Sequence, residues 1–167
     1  MPTILIVDDN ADHRQLLTIA LRRQGHEVRE ARDVPTALTL IGTGDIDAAM
    51  LDVRMPGESG IELCRRLRDS PGTTQLPIMV VSADVCDSRV VAALEAGADD
   101  YLTKPFHRTE LAARLDSLLS RRAAGPNRVA VATTAARLAG RGARMAGTAT
   151  VERTRAGRSM AEVARIA

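Results

Sequence analysis

Ile4-Leu5-Ile6-Val7-Asp8-Asp9 follows the first three residues of the chain: four consecutive aliphatic side chains, then two acids. A run this short and this apolar reads as a strand buried on both faces, because a half-buried strand would alternate and a membrane helix needs roughly 18 apolar residues. It is no secretory leader, since no cationic segment precedes it and no small-residue cleavage pattern follows. The same form recurs along the chain. Asp47–Leu51, Pro77–Val81 and Asp99–Leu102 are short aliphatic runs, and Glu27–Glu30 is a weaker one suited to an edge. Between them the spacing predicts helices over about 10–24, 34–41, 59–69, 86–96 and 107–120, with Gly25 and Gly97 where C-caps are expected.

Five strands alternating with five helices imply an α/β fold with a doubly wound parallel sheet, because each crossover must return over one face of the sheet or the other. The core must be aliphatic. Tyr101 and Phe106 are the only aromatic residues, and there is no Trp. Cys64 and Cys86 lack any metal-type Cys/His spacing, so reduced thiols in a cytoplasmic protein with no membrane segment are the expectation.

The formal net charge of +2 conceals two unlike segments. Residues 121–167 hold ten Arg and two Glu, a net of +8, which leaves a net of −6 before them. The helical pattern ends near Arg121-Arg122, and Gly125-Pro126 is a stop signal, so a domain over 1–121 and a basic Ala/Arg/Gly-rich tail over 122–167 are expected. Disorder is the default for such a composition. Partial helix is the alternative: Ala130 to Leu138 has helix propensity, and Ser159-Met160-Ala161-Glu162 is a capping-box pattern. Ten arginines also suit non-specific contact with nucleic-acid phosphates, docking on an acidic surface, or plain solubility.

In a doubly wound sheet the ligand crevice lies beyond the carboxyl ends of the strands. There the sequence puts Asp8 and Asp9, Asp52, Ser82 and Lys104. Three carboxylates in one crevice repel one another and call for a cation. Hard oxygens without a Cys/His set or a long calcium loop favour Mg²⁺. Metal, ammonium and hydroxyl together make an anion site fit for a phosphoryl group, with a carboxylate beside it as the nucleophile. Asp52 is best placed, ending a central run before the turn Arg54-Met55-Pro56-Gly57. Each residue alone has a plainer role, as an N-cap, a turn residue or a solvated charge. Their shared position at one end of successive strands is what singles them out.

With these residues in hand, the sequence over about 1–121 resembles the receiver domain of two-component response regulators, a CheY-like family. Asp8-Asp9 is similar to its acidic pair, Asp52-Val53-Arg54-Met55-Pro56-Gly57-Glu58-Ser59-Gly60 to its phosphoacceptor strand and turn, Ser82-Ala83 to its hydroxyl position, and Lys104-Pro105-Phe106 to its lysine turn. The resemblance implies a flavodoxin-like sheet of order 2-1-3-4-5. It also implies that Asp52 accepts a phosphoryl group from a phosphohistidine on a sensor histidine kinase or phosphotransfer protein. Mg²⁺ would be held by Asp9, Asp52 and the backbone carbonyl of Arg54, and through water by Asp8. Ser82 and Lys104 would contact phosphoryl oxygens, and the Lys104–Pro105 bond would be cis. Ser82 and Tyr101 would form the switch that turns phosphorylation into a surface change for a downstream protein partner. The chain would then be a signalling domain rather than an enzyme, catalysing at most its own phosphorylation and dephosphorylation.

Arg54 and Asp84 occupy positions that tune phosphoryl loss in the family, and their opposite charges are expected to pair across the crevice mouth. A DNA-associated regulator using the basic tail is the alternative function. An aspartyl phosphatase is disfavoured because it wants its nucleophile after the first strand, and a dinucleotide-binding fold because no Gly-rich loop follows Val7. Phe106 is expected under the last helix, Cys64, Met50 and Met79 in the core, and His13, His26 and His107 on the surface.

Overall fold

Apolar runs of four or five residues can be buried on both faces only as central strands, and four of the five strands here are buried along almost their whole length. The computed structural model describes residues 1–84 and 86–124. What the sequence suggests for the tail from residue 125 onward, its disorder, helices and nucleic-acid contacts, lies outside the described residues. The strands are β1 (Thr3–Val7), β2 (Glu27–Ala31), β3 (Ala48–Asp52), β4 (Ile78–Ser82) and β5 (Asp100–Thr103). The helices are α1 (Ala11–Arg23), α2 (Val34–Ile41), α3 (Gly60–Asp69), α4 (Asp87–Glu95) and α5 (Arg108–Ala124). All strand pairs are parallel, in the order β2-β1-β3-β4-β5, so the sheet is doubly wound as anticipated. β2 is the exposed edge that its mixed sequence Glu27-Val28-Arg29-Glu30 suggests.

The pleat sends alternate strand residues to opposite faces. On one face Ile4, Ile6, Met50, Met79, Val81 and Leu102 pack with Leu17 and Leu21 of α1 and with Leu111, Leu115 and Leu118 of α5, and Phe106 lies partly buried against them. The alternating residues Leu5, Val7, Ala49, Leu51 and Val80 are buried as completely. Their side of the sheet carries α2, α3 and α4, whose buried side chains include Ala37, Leu63, Leu67 and Ala93.

β3, β4 and β5 each begin one residue later than the apolar runs suggest, and each ends one residue later. Asp47 and Asp99 explain two of the starts. Asp47 donates its N–H to the Thr3 carbonyl (2.8 Å) and accepts from the Thr3 N–H (2.9 Å), while Asp99 does the same with Ile78 (both 2.8 Å). These acids clamp the first residue of the neighbouring strand instead of extending their own. At the other end, Asp52 and Ser82 become the last residues of their strands and inherit the rigidity of the sheet.

The turn after β3 is built to hold Asp52. Gly57 has φ +85, a conformation that favours glycine. Ser59 and Glu62 then form a reciprocal capping box that starts α3. Gly60, the first residue of α3, lies so close beneath β3 that a Cβ there would run into the backbone carbonyl of Asp52. Gly60→Ala is therefore expected to lower unfolding free energy by about 1–3 kcal/mol, as overpacking does. Gly72→Ala, which meets nothing within 4 Å, should shift it by less than about 0.5 kcal/mol, the scale of a neutral surface change. Urea denaturation followed by circular dichroism measures both.

Candidate functional site

Asp8 follows β1 directly and keeps sheet alignment through its N–H, which donates to the Ala31 carbonyl of β2 (3.2 Å). Its buried carboxylate divides its work. Oδ1 accepts from the Asn10 N–H (2.8 Å), and Oδ2 faces the crevice. Asn10 in turn caps α1, its side chain accepting from the N–H groups of Asp12 and His13, so the acidic pair and the helix start are one turn. Asp9 is exposed, and among the described residues its carboxylate has no hydrogen-bond or ion-pair partner. Across the β1–β3 pairing, Asp52 Oδ2 accepts from the Arg54 N–H (2.8 Å). Carboxylate oxygens of Asp8, Asp9 and Asp52 lie within 4.8 Å of one another. Three hard oxygen donors, one with no other partner, fit a small hydrated divalent cation such as Mg²⁺.

Lys104 enters this cluster from β5. Its N–H donates to the Ser82 carbonyl (2.7 Å), which fixes where the chain leaves the sheet, and the following bond to Pro105 is cis, as expected. Nζ then donates to Asp8 Oδ2 and to Asp52 Oδ1, each at 2.8 Å. Burial by itself favours the neutral amine, but the hydrogen bonds and charges of Asp52 and Asp8 outweigh it and hold the Lys104 pKa above its ordinary value. The ammonium is a fixed charge, bound to one oxygen of each carboxylate.

Ser82, fully buried at the end of β4, accepts the Asp84 N–H on its Oγ (3.1 Å). The ring of Tyr101 is buried in β5, and its hydroxyl donates to the Asp84 backbone carbonyl (2.8 Å). Burial pushes the Tyr101 pKa up. Arg54 Nη2 lies 3.5 Å from Asp84 Oδ2, and Arg89 Nε lies 3.7 Å from the same oxygen. The Cys86 N–H, and after it Arg54 and Arg89, hold the Asp84 carboxyl below the usual range. The pairing anticipated across the crevice mouth is therefore made. Asp8, Asp9, Asp52, Ser82, Lys104, Arg54 and Asp84 all lie at the carboxyl end of the sheet, and Tyr101, inside β5, reaches Asp84 with its hydroxyl.

His13 adds a contact the sequence did not suggest. It is exposed, as expected of a surface residue, yet its Nδ1 lies 3.5 Å from Asp8 Oδ2 and 3.4 Å from Lys104 Nζ. The signal for it was its place in the first turn of the helix that the acidic pair opens. His26, expected on the surface, is half-buried, and among the described residues its Nδ1 has no hydrogen-bond partner; His107 is exposed as expected. Arg14, unremarked in the sequence, donates from one guanidinium nitrogen to the carbonyls of Asp8 (2.8 Å) and Asp9 (3.1 Å). Cys64 is in the core, where burial raises its thiol to about 11.

The geometry has close parallels. The family model described as the response regulator receiver domain matches residues 4–116. The phosphate regulon transcriptional regulatory protein PhoB of Pseudomonas aeruginosa is 43% identical over 123 residues, 74% of this chain and 54% of that protein. Response regulator MprA of Mycobacterium sp. (strain KMS) is 47% identical over 118 residues, 71% of this chain and 50% of that protein. The chain thus spans about half the length of the curated relatives it matches. The crystal structure of a response regulator from Chloroflexus aurantiacus aligns with a TM-score of 0.70 at 43% identity, over 72% of this chain and 100% of that one. No described helix is long and apolar enough to cross a membrane. With the sheet order, the crevice and the family match in agreement, the chain belongs to the response regulator receiver domain family.

Proposed function

We propose that this chain is a cytoplasmic phosphoacceptor of two-component signalling, taking a phosphoryl group on Asp52 from a phosphohistidine of a sensor histidine kinase or histidine phosphotransfer protein. The observation that carries this reading is the 2.8 Å contact of Lys104 Nζ with both Asp8 and Asp52 at the rim of a three-carboxylate cluster. Asp9, Asp52 and the Arg54 backbone carbonyl would hold Mg²⁺, with Asp8 reaching it through water. When bound, Mg²⁺ neutralises charge between the carboxylates and the incoming phosphoryl oxygens.

This chain's residues do the rest. An oxygen of Asp52 attacks phosphorus, an O–P bond forms, and the P–N bond to the donor imidazole breaks with its electron pair kept by the nitrogen. Lys104 exchanges its contact with an Asp52 carboxylate oxygen for one with a phosphoryl oxygen. Ser82 offers a hydroxyl donor to another. Nothing in this sequence of steps needs turnover of a separate substrate, so the chain acts as a signalling domain.

The switch follows from hydrogen bonds that share Asp84. When Ser82 Oγ turns toward the phosphoryl group, it stops accepting from the Asp84 N–H, and the Asp84 carbonyl that holds the Tyr101 hydroxyl shifts with it. The surface around α4, β5 and α5 changes for a downstream protein partner.

Incubation of the full chain with a small phosphodonor and Mg²⁺ should add about 80 daltons by intact mass, the increment of one phosphoryl group. Asp52→Asn should gain nothing. A wild type that stays at its unmodified mass, or an Asn variant that gains the same increment, overturns the proposal.

Arg54 and Asp84 bear on the lifetime of the phosphorylated state, since their pair spans the route of an attacking water. The double variant Arg54→Ala, Asp84→Ala should lose its phosphoryl group about two- to fivefold faster, the scale on which an exposed ion pair acts. Decay after donor removal, followed by Phos-tag electrophoresis, measures this, and an unchanged rate refutes the gating role.

A further inference from the structure

Asp9 presents a problem of placement. Among the described residues its carboxylate touches no partner, so the part of its direction that the fold fixes is the Cα–Cβ bond, set by its backbone. That backbone belongs to the turn Asp8-Asp9-Asn10, held on one side by β1 and on the other by the start of α1. The N–H groups of the turn are accounted for in part by Ala31 and by the Asp8 carboxylate. Two of its three carbonyls, those of Asp8 and Asp9, are held by a single side chain, Arg14.

One guanidinium nitrogen of Arg14 donates to both, at 2.8 Å to Asp8 and 3.1 Å to Asp9. The guanidinium is itself located from the far side. Its Nε lies 3.6 Å from Glu30 Oε2 on β2, and the other Glu30 oxygen accepts from the buried Thr18 hydroxyl at 2.8 Å. Thr18 sits one helical turn beyond Arg14 on α1, so Thr18, Glu30 and Arg14 form a chain that ends on the two carbonyls.

The Arg14 side chain is 17% exposed, and Glu30 opposes its charge. A bare cation beside the acidic pair would repel a second cation. The Glu30 carboxylate offsets that repulsion and leaves the directional hydrogen bonds as the main effect of Arg14. Those bonds fix two successive peptide planes, hence the Cα–Cβ directions of Asp8 and Asp9.

We infer that Arg14 is a positioning residue for the divalent-cation site: acting on the backbone, it aims the Asp9 carboxylate toward Asp8 and Asp52. This rests on the phosphoacceptor reading, which assigns Mg²⁺ to those three acids, and goes beyond it by giving the site a support outside its ligands. Partners that orient metal ligands typically account for about 10–100-fold in metal affinity.

The test is Mg²⁺ binding by isothermal titration calorimetry on the full chain, with urea denaturation of the same samples. Arg14→Met keeps the apolar stem and removes both bonds; it should weaken Mg²⁺ about 10–100-fold while remaining folded. Arg14→Lys keeps one charged donor and should fall between. Arg22→Met, in the last turn of α1, should bind like wild type. If Arg14→Met does not fold, Arg14→Lys decides, and a loss of more than about twofold upholds the inference against the expected scale. A staple with no bearing on the site would lower the urea midpoint and leave Mg²⁺ affinity within about twofold of wild type in both variants, which overturns the inference while the phosphoacceptor reading stands. A wild type that neither binds Mg²⁺ nor gains phosphoryl mass overturns both.

Discussion

Lys104 Nζ joins the end of β5 to the ends of β1 and β3 through one oxygen each of Asp8 and Asp52, and the geometry of the crevice depends on that bridge. Two buried carboxylates this close would otherwise repel each other with little solvent to screen them. The ammonium turns that repulsion into attraction and leaves one oxygen of each acid to a backbone N–H, Asn10 for Asp8 and Arg54 for Asp52. Asp9 is left over. The crevice therefore contains three negative charges against one fixed positive charge, a balance that favours a further cation without requiring the chain to supply it. A phosphoryl group on Asp52 would add negative charge where Lys104 already sits, which is why the same ammonium suits both the resting and the proposed modified state.

The two ends of the sheet are held by opposite means. At the amino ends of the strands, acids are spent on structure: Asp47 on Thr3, and Asp99 on Ile78 and on Arg68, which lies 2.8 Å away and also donates to the carbonyls of Gly97 and Leu76. Those charges are engaged by neighbours close in the fold. At the carboxyl ends the acids lie beyond the last backbone pairing and face one another instead. The polarity of a parallel sheet thus separates structural carboxylates from available ones.

This polarity explains what could be read in the sequence. Strands buried on both faces are nearly continuous in aliphatic residues, so the abrupt stops at Asp8, Asp52 and Ser82 were visible as residues at strand ends, and the alternation with helices gave them a common side. Strand starts were less visible, because Asp47 and Asp99 clamp the neighbouring strand through contacts 44 and 21 residues away in sequence. His13 and Arg14 were missed for a related reason. A first-turn helical residue has no periodic signature that distinguishes solvent from the crevice mouth, and the Arg14 contact with Glu30 appears only once β2 is laid beside β1. The pairing of Arg54 with Asp84 was legible because both positions flank residues already placed at the rim.

Asp84 gathers the remaining contacts in a way that links chemistry to surface. Its N–H is tied to Ser82, its backbone carbonyl to Tyr101, and its carboxylate to the Cys86 N–H at 3.1 Å and to Arg54 and Arg89. These groups belong to β4, β5, the turn after β3 and the start of α4. A displacement of Ser82 Oγ cannot be absorbed at Asp84 by one bond alone, because the groups sharing that residue are held by four different segments. The Tyr101 hydroxyl is a donor on a buried ring, so it must keep an acceptor or become an unsatisfied buried donor. In the proposed cycle a small movement at the phosphoryl site therefore forces Tyr101 to follow the Asp84 carbonyl or find another partner. Either response rearranges the buried face of β5 on which α4 rests.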